Sequence, residues 1–180
     1  NSYNVAVGET AGASVTTGIQ NTFVGGLVGD ALTDADYNTG VGYAALTVDT
    51  LGSRSTALGA YTLQAQNFTT ATNAYNTAVG YGAGEQVTTG QLNTLIGGLA
   101  GDALTDADVN VAIGHNSLSS DTLGSGSVAV SQGTLNSQNF TTATTTYNTA
   151  VGYQAGNGVT TGLQNTLIGG QAGDAIFFFF

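Results

Sequence analysis

Tyr75-Asn76-Thr77-Ala78-Val79-Gly80-Tyr81 is the stretch that decides the fold, because it returns unchanged as Tyr147-Asn148-Thr149-Ala150-Val151-Gly152-Tyr153. A diverged copy, Tyr3-Asn4-Val5-Ala6-Val7-Gly8, lies at the same distance on its other side. Between residues 76–104 and 148–176, 22 of 29 positions are identical. The 180-residue chain therefore holds two and a half copies of a 72-residue unit.

The repeat also sets the domain organisation. Residues 1–176 are predicted to form one continuous array, with units over 3–74 and 75–146 and a partial unit over 147–176. Four phenylalanines, Phe177–Phe180, then replace the acidic turn of the previous copy and are interpreted as an anomalous tail.

A five-residue motif recurs inside each unit: Asn or Ser, a β-branched residue, a variable residue, an aliphatic residue and Gly. The motifs begin at residues 4, 21, 38, 55, 76, 93, 110, 127, 148 and 165. Three intervals of 17 positions and one of 21 separate these starts, and the order then begins again. Gly fills the fifth position in nine of ten motifs, the exception being Ser131. Glycine there predicts a bend or a positive φ at the end of a short strand.

The second and fourth motif positions share one face of a strand, because side chains alternate across it. The fourth position is aliphatic in ten of ten motifs, which predicts that this face is the interior. The predicted structural core is Val7, Val24, Val41, Leu58, Val79, Ile96, Ile113, Val130, Val151 and Ile168.

These features predict an all-β fold, a parallel β-solenoid or β-roll of about ten coils of 17–21 residues in a 72-residue super-repeat. A helix is excluded, since no stripe at helical spacing exists and Gly, Thr and Asn are too frequent. Ten coils at roughly 4.8 Å each would span on the order of 50 Å. Each coil offers only small aliphatic groups to its interior, so a single stack has a thin core. We therefore expect an intertwined or side-by-side homotrimer.

Composition excludes several functions. The net charge is −10 and Arg54 is the single cationic residue, so the chain cannot neutralise phosphates and nucleic-acid binding is excluded. No Cys is present, which excludes disulfides and thiolate sites. No long apolar run of membrane-spanning length occurs, which argues against membrane insertion. With a single histidine, His115, a catalytic triad is not expected, and we predict neither an enzyme nor a cofactor.

The motif Asn-Thr-Ala-Val-Gly-Tyr-x-Ala-Gly (76–84 and 148–156), followed by Asn-Thr-Leu-Ile-Gly-Gly-x-Ala-Gly (93–101 and 165–173), resembles the head repeats of trimeric autotransporter adhesins and related repeats of phage tail fibres. The resemblance covers nearly the whole chain. It implies a left-handed parallel β-roll, three chains wound into one fibre, and binding to a host or matrix surface. The coil of this chain is longer than the coil of adhesin heads.

Two kinds of polar residue are candidate sites. Acidic turns repeat between the units, and clustered carboxylates can chelate calcium, but these lack a full ligand set, so we predict solvated turns and no metal. The calcium candidates are Asp30, Asp34, Asp36, Asp102, Asp106 and Asp108. His115 occupies a position held by Tyr43 and Tyr81 in other coils and is predicted to lie on the surface.

The two long coils, 55–75 and 127–147, carry four extra residues each. Insertions in solenoids form loops on one face, which is often the binding face. The loops 66–72 and 138–144 share the sequence Gln-Asn-Phe-Thr-Thr-Ala-Thr, which favours a repeated ligand site with an aromatic group for sugars; alternatively, each Phe packs back onto the roll. The predicted ligand-binding residues are Gln66, Asn67, Phe68, Thr69, Gln138, Asn139, Phe140 and Thr141.

The sequence therefore predicts a structural or attachment fibre segment, located extracellularly, on a cell surface or on a virion. Its partners would be copies of itself, as a trimer or filament, and cell-surface glycans. Two alternatives stay open: a purely structural extracellular filament without a receptor, and an ice-binding solenoid that uses its Thr residues.

Overall fold

The computed structural model describes residues 2–174. Asn1, Ala175, Ile176 and the tail Phe177–Phe180 lie outside the described residues. The described part is all-β and forms a parallel β-solenoid of ten coils, as the repeat predicts. None of its residues forms a helix that could cross a membrane. In chain order its strands are β1 (Val5–Val7), β2 (Thr22–Val24), β3 (Thr39–Val41), β4 (Gly52–Ser53), β5 (Thr56–Leu58), β6 (Thr72–Asn73), β7 (Thr77–Val79), β8 (Thr94–Ile96), β9 (Val111–Ile113), β10 (Gly124–Ser125), β11 (Val128–Val130), β12 (Thr144–Thr145), β13 (Thr149–Val151) and β14 (Thr166–Ile168).

The ten motif strands form one sheet in the order β1-β2-β3-β5-β7-β8-β9-β11-β13-β14. Every pair is parallel and in register, so each motif position stacks on the same position of the next coil. The pairing of β5 with β7 keeps this register across the longer coil. The four extra residues therefore leave the main sheet as a loop, and two-stranded pairs, β4-β6 and β10-β12, form beside it.

The asparagine of the first motif position forms a buried ladder along the solenoid. Asn21 Nδ2 donates to the carbonyl oxygen of Ala35 (2.7 Å), and the backbone N–H of Asn38 donates to Asn21 Oδ1 (2.9 Å). The same pattern links Asn93 to Ala107 and Asn110. Each side chain thus satisfies a carbonyl of its own coil and an amide of the next, which removes the cost of burying both groups.

The glycine of the fifth position is required by two constraints. Its φ is positive, as at Gly80 (φ 123°), a region that L side chains rarely adopt. A Cβ at Gly80 would also lie 2.7 Å from the carbonyl carbon of Gly97 in the next coil. The prediction of a positive φ at the strand end is confirmed.

The predicted core residues are on the wrong face. Val24, Val41, Ile96 and Val151 are each 37 % exposed, and Val7 and Ile168 are more exposed still. The other four, Leu58, Val79, Ile113 and Val130, are half-buried. The reason is the asparagine ladder: its side chains must point inward to reach buried backbone groups, so alternation turns the third position inward and the second and fourth outward.

The actual core is built from the third motif position and from residues after the strand. Third-position residues Ala57, Ala78, Leu95 and Ala112 are all fully buried. Larger side chains fill the remaining space from the following turns, namely Val28, Leu32, Leu46, Leu63, Val87, Leu104, Leu118, Leu135 and Val159.

Candidate functional site

The long-coil loops are anchored by two buried carboxylates, Asp49 and Asp121, which sequence reasoning missed. Asp49 is fully buried, and its Oδ1 accepts hydrogen bonds from the backbone N–H groups of Gly52 (3.1 Å) and Phe68 (3.0 Å). Its Oδ2 accepts from Gln66 Nε2 (2.6 Å). Asp121 repeats these contacts in the second unit. Their identical spacing to the Gln-Asn-Phe loop, in both units, is the signal that could have found them.

Gln66 and Gln138 are not surface ligands, because both are fully buried. Gln66 links Asp49 to the asparagine ladder: its Nε2 also donates to Ser55 Oγ (3.1 Å), and its Oε1 accepts from Asn76 Nδ2 (2.9 Å). Ser55 stands where other coils have Asn. The glutamine therefore reaches the ladder in the coil that lacks an asparagine.

Phe68 and Phe140 are also buried, at 5 % and 7 % exposure, which overturns their assignment as ligand contacts. The Phe68 ring packs over Gly52, where a Cβ would lie 2.8 Å from Phe68 Cδ2. The alternative interpretation, in which each Phe packs back onto the roll, is confirmed. We infer that the loop sequence recurs in both units because its Gln and Phe residues make the buried contacts with Asp49 and Asp121.

The remaining predicted loop residues are more accessible. Thr69 and Thr141 are exposed, Asn139 is exposed, and Asn67 is half-buried. Thr50 Oγ1 donates to Asn67 Oδ1 (3.4 Å). The exposed tips are therefore residues 69–71 and 141–143, which lie about four coils, or roughly 19 Å, apart.

The acidic turns are organised by hydrogen bonds between coils. Asp30 Oδ1 accepts from Thr47 Oγ1 (2.6 Å), and Asp36 Oδ1 accepts from the N–H of Ile19 (2.8 Å). Asp34 Oδ1 accepts from Thr17 Oγ1. Asp106 and Asp108 repeat the last two contacts. Within residues 2–174 no group of three or more His, Cys, Asp or Glu side chains is placed to hold a metal ion.

Asp102 differs from its counterpart Asp30. Its Oδ1 is buried without a hydrogen-bond partner, and desolvation raises the pKa of this carboxyl above its usual value, with Glu85 adding repulsion. The equivalent of Thr47 is Ser119, whose Oγ instead accepts from Asn136 Nδ2 (2.6 Å). His115 is exposed, as predicted.

The second and fourth motif positions form the outward face of the ten-stranded sheet. This outward face carries a row of Thr or Val and a row of Val, Ile or Leu. Of the 18 exposed large hydrophobic residues in the described chain, all but Val48 and Leu163 lie on a motif strand or two residues from its end. Tyrosines at its margin pack edge-to-face, with ring centroids 5.6 Å apart for Tyr43 and Tyr61. Exposed apolar side chains are therefore concentrated on one side of the solenoid.

Only two charged residues, Glu9 and Arg54, lie in the same region. Of the 11 acidic residues, only Glu9 lies on a motif strand or within two residues of its ends. The others sit on the remaining sides of the coils. The outward face can therefore approach another acidic surface without strong like-charge repulsion.

No family model matches the chain, and no curated protein or solved structure matches it either. The resemblance to adhesin heads and tail fibres rests on the motif residues.

Proposed function

We propose that this chain is a structural segment of an extracellular attachment fibre, in which copies associate through the outward face. The observation that carries the proposal is the concentration of exposed aliphatic side chains on that face. A contiguous apolar patch of this kind marks a protein–protein interface. The face runs along all ten motif strands, or about 43 Å at the strand spacing, which suits lengthwise association into a fibre.

Three copies are favoured by the shape of the face. Its two side-chain rows span roughly 7 Å along each strand, and exposed side chains, mostly tyrosines, flank them two residues beyond the strand ends. Face-to-face packing of two such narrow stripes would leave the flanking side chains in water. Three stripes that converge on one axis enclose a core with little exposed margin, and this agrees with the resemblance to trimeric adhesin heads.

Oligomeric mass tests the association. Sedimentation of the intact chain is expected to give three times the 17.9 kDa of one chain. Val41→Lys places a charge on the outward face and should yield monomers. Val48→Lys is the matched control, because Val48 is similarly exposed (43 % against 37 %) but lies away from the face. A monomeric wild type, or equal effects of the two variants, would refute association through this face.

The attachment role is assigned to the exposed loop tips. In a trimer, the tips at 69–71 and 141–143 give two tiers of three loops, an arrangement in which weak contacts sum to strong attachment. The double variant Thr69→Arg and Thr141→Arg alters both tips and leaves the Gln66 and Phe68 anchors in place. It should abolish retention on immobilised cell-surface glycans, whereas Ser14→Arg with Ser120→Arg, at other exposed sites, should not. Unchanged retention would identify the segment as a filament spacer without a receptor.

Ice binding is the second candidate, favoured by one observation. Thr fills the second motif position in seven of the ten coils, beside an aliphatic residue in every coil, so hydroxyl and methyl groups form a regular outward array. Ice binding requires that no other chain covers the outward face. A wild-type monomer that shapes ice crystals, and loses this activity in Val41→Lys but not in Val48→Lys, would favour ice binding over the fibre.

A further inference from the structure

Arg54, the single cation of the chain, is held in an aromatic clamp. Its guanidinium carbon lies 4.7 Å from the ring centroid of Tyr37 and 5.8 Å from that of Tyr75. Its Nε donates a hydrogen bond to Asn73 Oδ1 (3.0 Å). A planar cation over tyrosine faces is stabilised by the ring quadrupole. The first unit therefore contains a built binding site for a guanidinium group, and its own side chain fills it.

The second unit keeps one of the two tyrosines of this site, as Tyr147, and lacks the arginine. Gly126 is the counterpart of Arg54 one repeat unit later, and a surface pocket of about 380 Å³ opens beside it. Each lining residue is the counterpart of a residue around Arg54. The pocket is lined by Asp108, Val109, Ser125, Gly126, Thr145 and Tyr147, which correspond to Asp36, Tyr37, Ser53, Arg54, Asn73 and Tyr75. The pocket therefore lies at the position that corresponds to Arg54 of the first unit.

We propose that this pocket binds the guanidinium group of an arginine side chain presented by a different protein. Tyr147, which is 64 % exposed, contributes an aromatic ring to the lining, and the half-buried Asp108, whose Oδ1 accepts a hydrogen bond from the N–H of Gln91, is its one acidic residue. A net charge of −10 attracts a cationic partner. Arginine fits better than lysine because its planar group stacks on an aromatic ring. A second copy of this chain is not the donor, since its single arginine is already clamped.

The pocket is compatible with the proposed fibre but does not depend on it. Ser125 belongs to β10 and Thr145 to β12, so the pocket lies at the margin of the outward face and not on its two side-chain rows. Val109 replaces one of the two tyrosine rings and Thr145 replaces the asparagine acceptor. A single contact is therefore weaker than the clamp of the first unit, and repetition along a fibre would strengthen it.

Titration of the isotope-labelled full chain with N-acetylarginine amide, followed by amide NMR shifts, tests the site. Shifts are expected at Gly126, Thr145 and Tyr147. N-acetylcitrulline amide, a neutral group of nearly the same shape, and N-acetyllysine amide are the comparison probes, and both should give much smaller shifts. Equal shifts with citrulline, or none with arginine, would overturn the proposal.

A reciprocal pair of variants provides the sharper test. Gly126→Arg fills the pocket from within and should lose the ligand-dependent shifts. The position accepts a side chain, because its φ of 75° is close to the 66° of Arg54 and a Cβ there meets only Thr145 Cγ2, at 3.6 Å. Arg54→Gly should open the first-unit site and add a second set of shifts at Tyr37 and Tyr75.

Circular dichroism and sedimentation complete the design. Both variants should keep the wild-type spectrum and the wild-type mass, so a loss of binding is separated from a loss of fold or of assembly. Persistence of the shifts at Tyr147 in folded Gly126→Arg, or no added shifts in folded Arg54→Gly, would contradict the proposal. A failure of self-association in the wild type would leave this result unaffected.

Discussion

Leu95 and Ile96 are neighbours in β8 that face opposite sides of the sheet, and truncating each to alanine separates the two sides. Leu95 is fully buried, whereas Ile96 is 37 % exposed in a single chain. Truncation of a buried leucine to alanine costs about 2–5 kcal/mol, depending on how far the site collapses. Collapse is limited here, since Leu95 methyl groups lie against the backbone of Gly84 and Gly101, which have no side chains to move inward. We therefore expect Leu95→Ala to cost about 3–5 kcal/mol.

Ile96→Ala removes apolar surface that is already partly in water. Full burial of such a side chain contributes about 1.5–3 kcal/mol to the free energy of unfolding, so Ile96→Ala should lower that free energy by about 1 kcal/mol in an isolated chain. If copies associate as proposed, the same variant should also weaken assembly, because Ile96 lies on the outward face.

Chemical denaturation followed by far-ultraviolet circular dichroism measures both variants. The comparison is made at a protein concentration where sedimentation gives a wild-type monomer, or at the lowest usable concentration. An Ile96→Ala variant that loses as much stability as Leu95→Ala under these conditions would refute the assignment of inward and outward faces. Apparent stability that rises with concentration in the wild type but not in Ile96→Ala would agree with association through this face.

Three further predictions concern the acidic residues. Asp49→Ala should lower the free energy of unfolding, measured by chemical denaturation, by at least about 3 kcal/mol, because three buried donors lose their acceptor. Asp36→Ala leaves only one backbone donor without its acceptor and should lower it less. Equal losses in the two variants would contradict the role of Asp49 as the anchor of the loop. Asp102→Asn should stabilise the fold at neutral pH by up to about 1 kcal/mol. The raised pKa means that the folded state binds this proton more tightly, so wild-type stability falls as pH rises above the usual aspartate range. The stability gained by Asp102→Asn should therefore vanish in acid. A gain that persists at low pH would exclude the carboxylate charge as its cause. Finally, thermal melts with and without a chelator should coincide, and a large decrease on chelation would show that the carboxylates at Asp30 and Asp34 belong to a calcium site.

The repeat in the sequence determined the architecture. The spacing of the motif, the glycine at its end and the absence of a helical stripe were enough to predict parallel strands, their register and the number of coils, because each coil must pair its backbone with identical neighbours. The same regularity predicted that the extra residues of the long coils leave the main sheet as loops.

Which way the side chains point was decided only by tertiary structure. An aliphatic residue in all ten fourth positions indicated a core, yet Val41 and Ile96 face outward. The backbone groups that Asn21 and Asn93 satisfy belong to residues 14 and 17 positions later, and no local pattern reveals them. The long-coil loops follow the same logic: the repeated Gln66 and Phe68 suggested a binding site, but the carboxylate of Asp49, distant in sequence and adjacent in space, holds them inside. Buried polar groups must be paired, so the asparagine side chains point inward together with the third-position residues, and the aliphatic fourth position points outward.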